Sequence, residues 1–434
     1  MEPYQLRLNV SKICVIGLGY VGLTLATAFA ESGHQVIGLE KAEVHLTKIK
    51  SGLSPFFDEG LDKSLTNVIA NKTLQVFGTT AEINQKFEFI VITIGSQINS
   101  DLETDLANFL KLVPELLTIS EHNCTVILRS TVPVGTSRKL QEYLEEFKPV
   151  INVAFCPERT IEGKAFQELF TLPQIVSGSN EFAKLAAQKL FNTLTKETIL
   201  VTSTESAELV KLTSNMWRDF TFAFSNELFI QSLQLNLDIT EVIEAANKNY
   251  PRNAIPMPGA VGGPCLTKDT HIYSQSINSH KHIFSQARSV NTTFPRIFLE
   301  KHQSKISEIK SIAILGWAFK GSPQTTDLRS SPSFVYHSNL LTMNENLNVF
   351  AWDAEKIDPT QLSGGVIWKK DLNEVISNCD AILIANNHPY FSSSEFQSLL
   401  SMVKERLFIL DPWTNLKPGV DLSHEILHLG SVLP

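Results

Sequence analysis

The stretch VGGPCLTKDT, residues 261–270, places a single thiol, Cys265, directly after two glycines and a proline, with Lys268 and Asp269 close behind. A cysteine that only fills space usually sits on an apolar strand or helix. This one reads as part of a tight, charged, glycine-rich turn. A cationic neighbour and backbone N–H groups favour the thiolate, which is the reactive form. Asp269 can orient Lys268 or act as a base. Taken alone, Cys265 is equally consistent with a nucleophile and with a structural thiol. Among the other cysteines, Cys14, Cys124 and Cys379 lie in or beside expected strands and read as structural, while Cys156, which abuts the Pro157-Glu158-Arg159 triplet, stays open.

A second group is carried by AELVKLTSNMWRD, residues 207–219. Helical spacing puts Glu208, Lys211, Asn215 and Arg218 on one face. The plain reading is a solvated charged face. The same segment is otherwise too apolar for an ordinary surface helix, and a lysine and an amide one turn apart make a pair of donors for a developing oxyanion. RSTVPVGTS (129–137) and FCPERTIEG (155–163) each follow an expected strand. Ligands of parallel sheets bind at such strand ends, so Thr131 and Glu158 are candidate site residues, with turn chemistry as the alternative.

A third group could hold a dinucleotide. Gly17, Gly19 and Gly22 form G-x-G-x-x-G between an apolar strand and an apolar helix, and Glu40 ends the following strand. The glycines suit a tight turn, approach of the backbone to a pyrophosphate and close helix packing. Glu40 can accept from both ribose hydroxyls and would repel a 2′-phosphate, which favours NAD over NADP, with Lys41 weakening that preference slightly. The alternative is a glycine turn in an unrelated α/β protein.

The elements that must position these groups follow a simple plan. Runs at Ile13–Ile16, Gln35–Leu39, Thr73–Phe77, Phe89–Ile94, Thr125–Leu128 and Val153–Phe155 read as strands with helices between them, a doubly wound parallel sheet. From about 203 to 245 the chain keeps helical periodicity without proline or glycine, and Thr202 with Glu205 offers a capping box. Further strands are expected in 309–321, 347–353, 379–387 and 407–412. The expected fold is therefore α/β, two Rossmann-like doubly wound domains joined by a long central helix. Its divisions are 1–202, 203–305 and 306–434.

The 434 residues carry a net charge of −8 with both signs interspersed, which argues against a nucleic-acid or anionic-membrane partner. Five widely spaced cysteines without zinc spacing point to free thiols in a reducing compartment and to no metal. The N-terminal residues show no signal-peptide pattern, and the uncharged run 14–30 is slightly short and glycine-interrupted for a membrane span. A cytoplasmic location is the expectation.

In order along the chain, GLGYVGL, STVPVGT, PER, AELVKL…N, GGPCLTKD and AFKGSPQTTDLRSSP resemble the UDP-glucose/GDP-mannose dehydrogenase family over nearly the whole length. That resemblance implies an NAD-binding N-terminal domain, a central dimerisation helix and a C-terminal domain holding a UDP-sugar. It also implies a homodimer and a double oxidation of C6 from alcohol to acid with NAD, in the synthesis of polysaccharide precursors. Cys265 matches the family nucleophile, forming a thiohemiacetal and then a thioester. Lys211 and Asn215 match oxyanion donors, Glu158 and Asp269 the groups that handle protons and water, and Thr131 a residue that holds the water. Gly17, Gly19, Tyr20, Val21, Gly22, Glu40, Ser96, Thr131 and Arg329 match the cofactor side. Glu158, Arg159, Lys211, Asn215, Arg218, Arg252, Gly262 and Lys320 match the sugar side, Arg252 often reaching in from a partner subunit. CPERTIEG and NMWRDFTFAFSNEL look like the branch acting on UDP-N-acetylhexosamines. The lysine of CLTKD resembles the UDP-glucose branch, Pro264 stands where the first branch often has histidine, and Ser96-Gln97 replaces the usual Thr-Pro pair. UDP-glucose 6-dehydrogenase is the alternative. More distant are a two-electron β-hydroxyacid dehydrogenase and a non-catalytic NAD- or nucleotide-sugar-binding protein.

Overall fold

The structure is a computed structural model, and it describes residues 10–95, 107–147, 151–362, 364–403, 405–417 and 424–430. The chain forms two compact units, residues up to 214 together with 271–279, and residues 215–270 together with 280 onward.

The first unit is built on strands β1 (Lys12–Ile16), β2 (Gln35–Leu39), β3 (Leu74–Phe77), β4 (Phe87–Ile92), β5 (Ser120–Leu128), β6 (Asn152–Phe155), β7 (Gln174–Gly178) and β8 (Thr198–Leu200). They lie in the order β3-β2-β1-β4-β5-β6-β7-β8. All neighbours are parallel except β6 and β7. Along β1 the side chains alternate between two cores: Ile13 and Val15 join one, Cys14 and Ile16 the other. A strand buried on both faces is what a continuous apolar run such as KICVI encodes. β7 and β8 are not among the expected strands. Ile199 and Leu200 of β8 are exposed, as suits an edge strand that is not covered on both faces.

The second unit holds β9 (Ser311–Leu315), β10 (Asn348–Trp352), β11 (Ile367–Trp368), β12 (Ala381–Ile384), β13 (Phe408–Asp411) and β14 (Glu425–His428), in the order β11-β10-β9-β12-β13-β14 and parallel throughout. Counted within the unit, this is the order 3-2-1-4-5-6, the Rossmann arrangement also present in the first six strands of the chain. The fold is two doubly wound α/β sheets with a long central helix, Thr204–Leu235, whose residues fall partly in each unit. Among the described residues, no helix is long and apolar enough to cross a membrane.

Three local expectations are corrected. The helical periodicity read through 245 is broken: the helix stops at Leu235, Asn236 takes φ +53°, and Asp238 caps a separate helix, Ile239–Asn247, by accepting from Thr240 and Glu241 N–H. Asparagine tolerates the left-handed region and aspartate is a favoured cap, so the break needs neither glycine nor proline. At the start of the long helix the Ser203 hydroxyl, rather than Thr202, accepts from the Ser206 N–H. The VGGPCLTKDT stretch is non-helical only at Val261 and Gly262. Pro264 and Cys265 already belong to the helix Gly263–Ser276, whose first turn tolerates a proline because its N–H has no intrahelical partner.

Gly22 lets the Tyr20–Glu31 helix pack on the turn after β1: a Cβ there would lie 1.8 Å from the Gly17 carbonyl oxygen and 2.5 Å from Thr93 Oγ1. Gly22→Ala is expected to lower the stability of the first unit by about 2–4 kcal/mol through overpacking, or to prevent folding. Urea unfolding checks this, and an unchanged midpoint would contradict the close approach.

Candidate active site

β1 ends in Gly17, whose N–H donates to the Leu39 carbonyl at 2.9 Å, and the Tyr20–Glu31 helix then starts at Gly19 with no side chain capping it. A Cβ at Gly19 would meet nothing within 4 Å. Uncapped first-turn amides beside open space suit a phosphate group. Tyr20 packs against Phe56 with ring centroids 4.0 Å apart and the planes tilted by 31°, and Val21 is half-buried. At the end of β2, Glu40 Oε2 accepts from Leu18 N–H at 3.0 Å and Oε1 from Ala42 N–H at 2.8 Å. The carboxylate is thereby fixed beside the glycine turn, and each oxygen retains a second lone pair for a ribose hydroxyl. These residues fit the adenosine and pyrophosphate of NAD. Ser96 lies outside the described residues.

The same unit gathers the expected Glu158 around an arginine that sequence reasoning passed over. Arg129, which directly follows β5, is fully buried. Its Nε and Nη2 donate to Glu158 Oε2 at 3.0 and 2.6 Å, Nη1 to the Cys156 carbonyl, and Nη2 also to Gln174 Oε1. Glu158 Oε1 accepts from the N–H groups of Arg159 and Thr160. Burial opposes ionisation of Glu158, but Arg129, the Thr160 N–H and Lys211 outweigh it and hold the carboxyl below its usual range. Arg159 turns its guanidinium to the Pro173 carbonyl at 2.6 Å, Lys211 is half-buried, and Thr131 is half-buried in the loop after β5. Glu208 is no part of a solvated face. It is buried and accepts from Gly135 N–H, Ser137 N–H and the Ser137 hydroxyl, so it holds the junction of the loop after β5 and the Thr136–Phe147 helix. The only sequence trace of Arg129 is an arginine at the end of an apolar strand.

In the second unit, Asn215 is buried and donates from Nδ2 to Asp269 Oδ2 at 2.5 Å, while Arg218 Nη2 donates to Asn215 Oδ1 at 2.5 Å. Three of the expected residues thus meet directly. Cys265 is the third residue of the Gly263–Ser276 helix and is half-buried, whereas Cys14, Cys124, Cys156 and Cys379 are buried. Burial pushes the Cys156 thiol up to about 12 despite Arg129 nearby, which makes it a structural thiol. Gly263 has φ +86°, and a Cβ on it would lie 2.4 Å from the Phe319 ring; a Cβ on Gly262 would lie 2.4 Å from the Ser330 carbonyl. The two glycines therefore bring the backbone before Cys265 against 319–332. Lys320 lies over the Phe319 ring at 5.5 Å. Arg329 is exposed and forks onto Asp327, with Nη2 to Oδ2 at 2.6 Å. Arg252 is exposed and donates to the Tyr250 hydroxyl at 3.0 Å.

Residues 11–195 match the NAD binding domain of the UDP-glucose/GDP-mannose dehydrogenase family, 205–293 its central domain and 313–418 its UDP binding domain. The chain is 31% identical over 411 residues to a UDP-N-acetyl-D-mannosamine dehydrogenase of Pyrococcus horikoshii, covering 92% of this chain and 94% of that protein. It is 32% identical over 409 residues to one of Campylobacter jejuni, covering 90% and 98%. A solved UDP-D-ManNAc dehydrogenase from Pyrococcus horikoshii superposes with a TM-score of 0.83 at 29% identity, covering 96% of this chain and 98% of that one.

Replacing Arg129 with Gln leaves Glu158 buried without its guanidinium. The expected loss is about 3–5 kcal/mol at pH 7, read by urea unfolding. In the wild-type protein the folded Glu158 value lies below the unfolded one. Its stabilisation is therefore complete above about pH 4.3 and disappears as pH falls through the folded value. The difference between wild type and variant should narrow on acidification; a difference independent of pH down to strongly acid conditions would contradict the pairing.

Proposed function

The chain belongs to the UDP-glucose/GDP-mannose dehydrogenase family, and from that premise we propose that it oxidises C6 of a UDP-N-acetylhexosamine, UDP-N-acetylmannosamine first among them, to the uronic acid. That it is an NAD-dependent nucleotide-sugar dehydrogenase follows from the family itself. The choice of sugar is supported by the relatives at about 30% identity, which carry the mannosamine name. The observation that carries the chemistry is Cys265: half-buried in the first turn of a helix, where the peptide dipoles favour an anion, with Asp269 held by Asn215 one turn further on.

NAD, when bound at the Gly17–Gly22 turn with Glu40 on its ribose, accepts hydride. The protein's part is the following. Oxidation of the C6 alcohol gives an aldehyde, and the Cys265 sulfur adds to C6, forming a C–S bond and leaving an oxyanion on O6. Lys211 and Asn215 donate to that oxygen, and one such donor is worth about 3 kcal/mol in a dry site. The thiohemiacetal loses a second hydride to become a thioester. Water, held by Thr131 and deprotonated through Asp269 or Glu158, attacks C6, and the thiolate leaves. Glu158, kept ionised by Arg129, suits accepting a proton rather than donating one. The covalent link keeps the aldehyde from escaping between the two oxidations.

In this reading 1–202 is the NAD-binding domain, 203–305 the central domain and 306–434 the domain for the UDP-sugar. Arg159, Arg218, Gly262 and Lys320 contact the sugar nucleotide, and Arg329 lies toward the cofactor. The enzyme works in the cytoplasm as a homodimer through its long helix. Trp217 and Phe224, two turns apart on that helix, are 63% and 48% exposed, which supports the dimer. Arg252, exposed in each copy, is then available to the neighbouring sugar site. Lys268 keeps UDP-glucose as a second reading.

The purified protein should form two NADH per UDP-N-acetylmannosamine, and Cys265→Ser should lose at least 100-fold in turnover. One NADH per sugar would contradict the four-electron chemistry, full turnover of the serine variant would contradict the thioester, and turnover confined to UDP-glucose would contradict the choice of sugar. Trp217→Glu with Phe224→Glu should sediment as a monomer; an unchanged dimer would place the interface elsewhere.

A further inference from the structure

Four buried polar side chains of the second unit form one connected network. Asp219 is 1% exposed, Asn226 0%, Arg288 7% and Asn291 1%. Arg288 Nη1 donates to Asp219 Oδ1 at 2.8 Å, and Asn291 Nδ2 donates to the same oxygen at 2.8 Å and to the Asp219 carbonyl. Asn226 Nδ2 donates to Asn291 Oδ1 at 2.8 Å. A desolvated ion pair of this kind is weak evidence for stability, since apolar residues of the same volume do as well. What distinguishes this one is where its remaining donors and acceptors go.

Three of these bonds go to the backbone that leads into Cys265, while Arg288 Nε donates to the Thr292 hydroxyl and Asp219 Oδ2 is buried with no partner among the described residues. Asn226 accepts from the Gly259 N–H at 2.8 Å and donates to the Gly259 carbonyl at 3.0 Å. Arg288 Nη2 donates to the Val261 carbonyl at 3.1 Å. Two residues later the Gly263 N–H donates to the Ser330 carbonyl at 2.9 Å. The segment is thus held at three alternate residues. Packing does not hold it equally well: a cavity of about 210 Å³ borders Val261, Gly262, Arg288, Ser330, Pro332 and Phe334. On the other side of Cys265, Asn215 grips Asp269. Asn215 and Asp219 are one turn apart on the long helix, so that helix holds the chain both before and after the thiol.

We propose that Asp219, Asn226, Arg288 and Asn291 are positioning residues that clamp the Gly259–Gly263 backbone and so fix where the Cys265 sulfur meets C6. The proposal rests on Cys265 being the nucleophile. The network acts through the backbone, and it matters most for the step in which the C–S bond forms. Sub-ångström misplacement of a nucleophile is costly even when binding is unaffected.

Arg288→Lys tests this. A single ammonium can keep its charge beside Asp219 but cannot also reach Val261 in the geometry of a forked guanidinium. With UDP-N-acetylmannosamine and NAD, kcat should fall at least tenfold while KM for the sugar changes less than threefold and circular dichroism is unchanged. Hydrogen exchange of the 259–263 amides should quicken at least tenfold. A kcat within twofold of wild type, or a rise confined to KM, overturns the clamp. Asn226→Ala, which leaves the ion pair in place, is measured in the same way and replaces Arg288→Lys if that variant does not fold. The wild-type enzyme provides a readout that needs no variant: rapid exchange of the Gly259 and Gly263 amides overturns the proposal outright. Cys265→Ala is run alongside. Full turnover of that variant removes the nucleophile reading itself, whereas a dead Cys265→Ala beside a normal Arg288→Lys removes only the clamp.

Discussion

Strands that run parallel have to be joined by crossovers, and the crossovers cover both faces of the sheet. Both sheets of this chain obey that constraint, and most of the remaining architecture follows from it. β1 divides its side chains between two cores, as does β9, where Ile312 and Ile314 face one and Ala313 and Leu315 the other. With both faces closed, the carboxyl ends of the strands are what remains for a ligand. The Gly17 turn lies after β1, Glu40 after β2, Arg129 and Thr131 after β5, and Glu158 after β6. The corresponding turns of the second sheet carry Lys320 after β9 and Asp353 after β10.

The two sheets treat their first turn differently, and a single carboxylate makes the difference. Each begins with a strand and a glycine of positive φ, Gly17 and Gly316, whose N–H donates to the end of the neighbouring strand. In the second unit Asp353 Oδ2 accepts from the N–H groups of Trp317 and Ala318 at 2.5 and 2.8 Å, and Oδ1 accepts from Glu355 N–H. Burial pushes the Asp353 carboxyl up, and the same three N–H groups oppose that shift. The turn is filled by the protein's own anion. In the first unit Glu40 reaches only Leu18 of the turn, and the helix start at Gly19 is left without a side-chain cap. One fold therefore leaves its first turn without a side-chain cap in one half of the chain and closes it in the other.

Buried ion pairs mark each unit at the place where loop geometry matters. Arg129 with Glu158 ties the ends of β5 and β6 together in the first unit; Arg288 with Asp219 ties the long helix to the chain before Cys265 in the second. Neither pair is an efficient way to gain stability, because desolvation takes back much of the Coulombic attraction. Both convert that cost into fixed direction, since a forked guanidinium with several partners has one orientation. Glu208 does the same with three donors from Gly135 and Ser137, where the loop after β5 enters the Thr136–Phe147 helix.

The strands of the first βαβ unit, the glycine turn and Glu40 were legible in the sequence, because they depend on local properties: a run of β-branched residues, and bare backbone beside the end of the next strand. β7 and β8 were not, since each offers only two or three consecutive apolar residues to announce it. The break at Asn236 was hidden because asparagine and aspartate act there through φ and capping rather than through composition. The helix that begins at Gly263 was read as a turn because its glycines mask the start. Arg129 and Glu158 are 29 residues apart, and Arg288 and Asp219 69 apart. Residue types and short spacings determined which chemistry this chain carries. Which charge meets which, and so how the backbone before Cys265 is held, was decided only by tertiary structure, because pairings across such separations depend on how the sheets and helices close rather than on the residues that flank them.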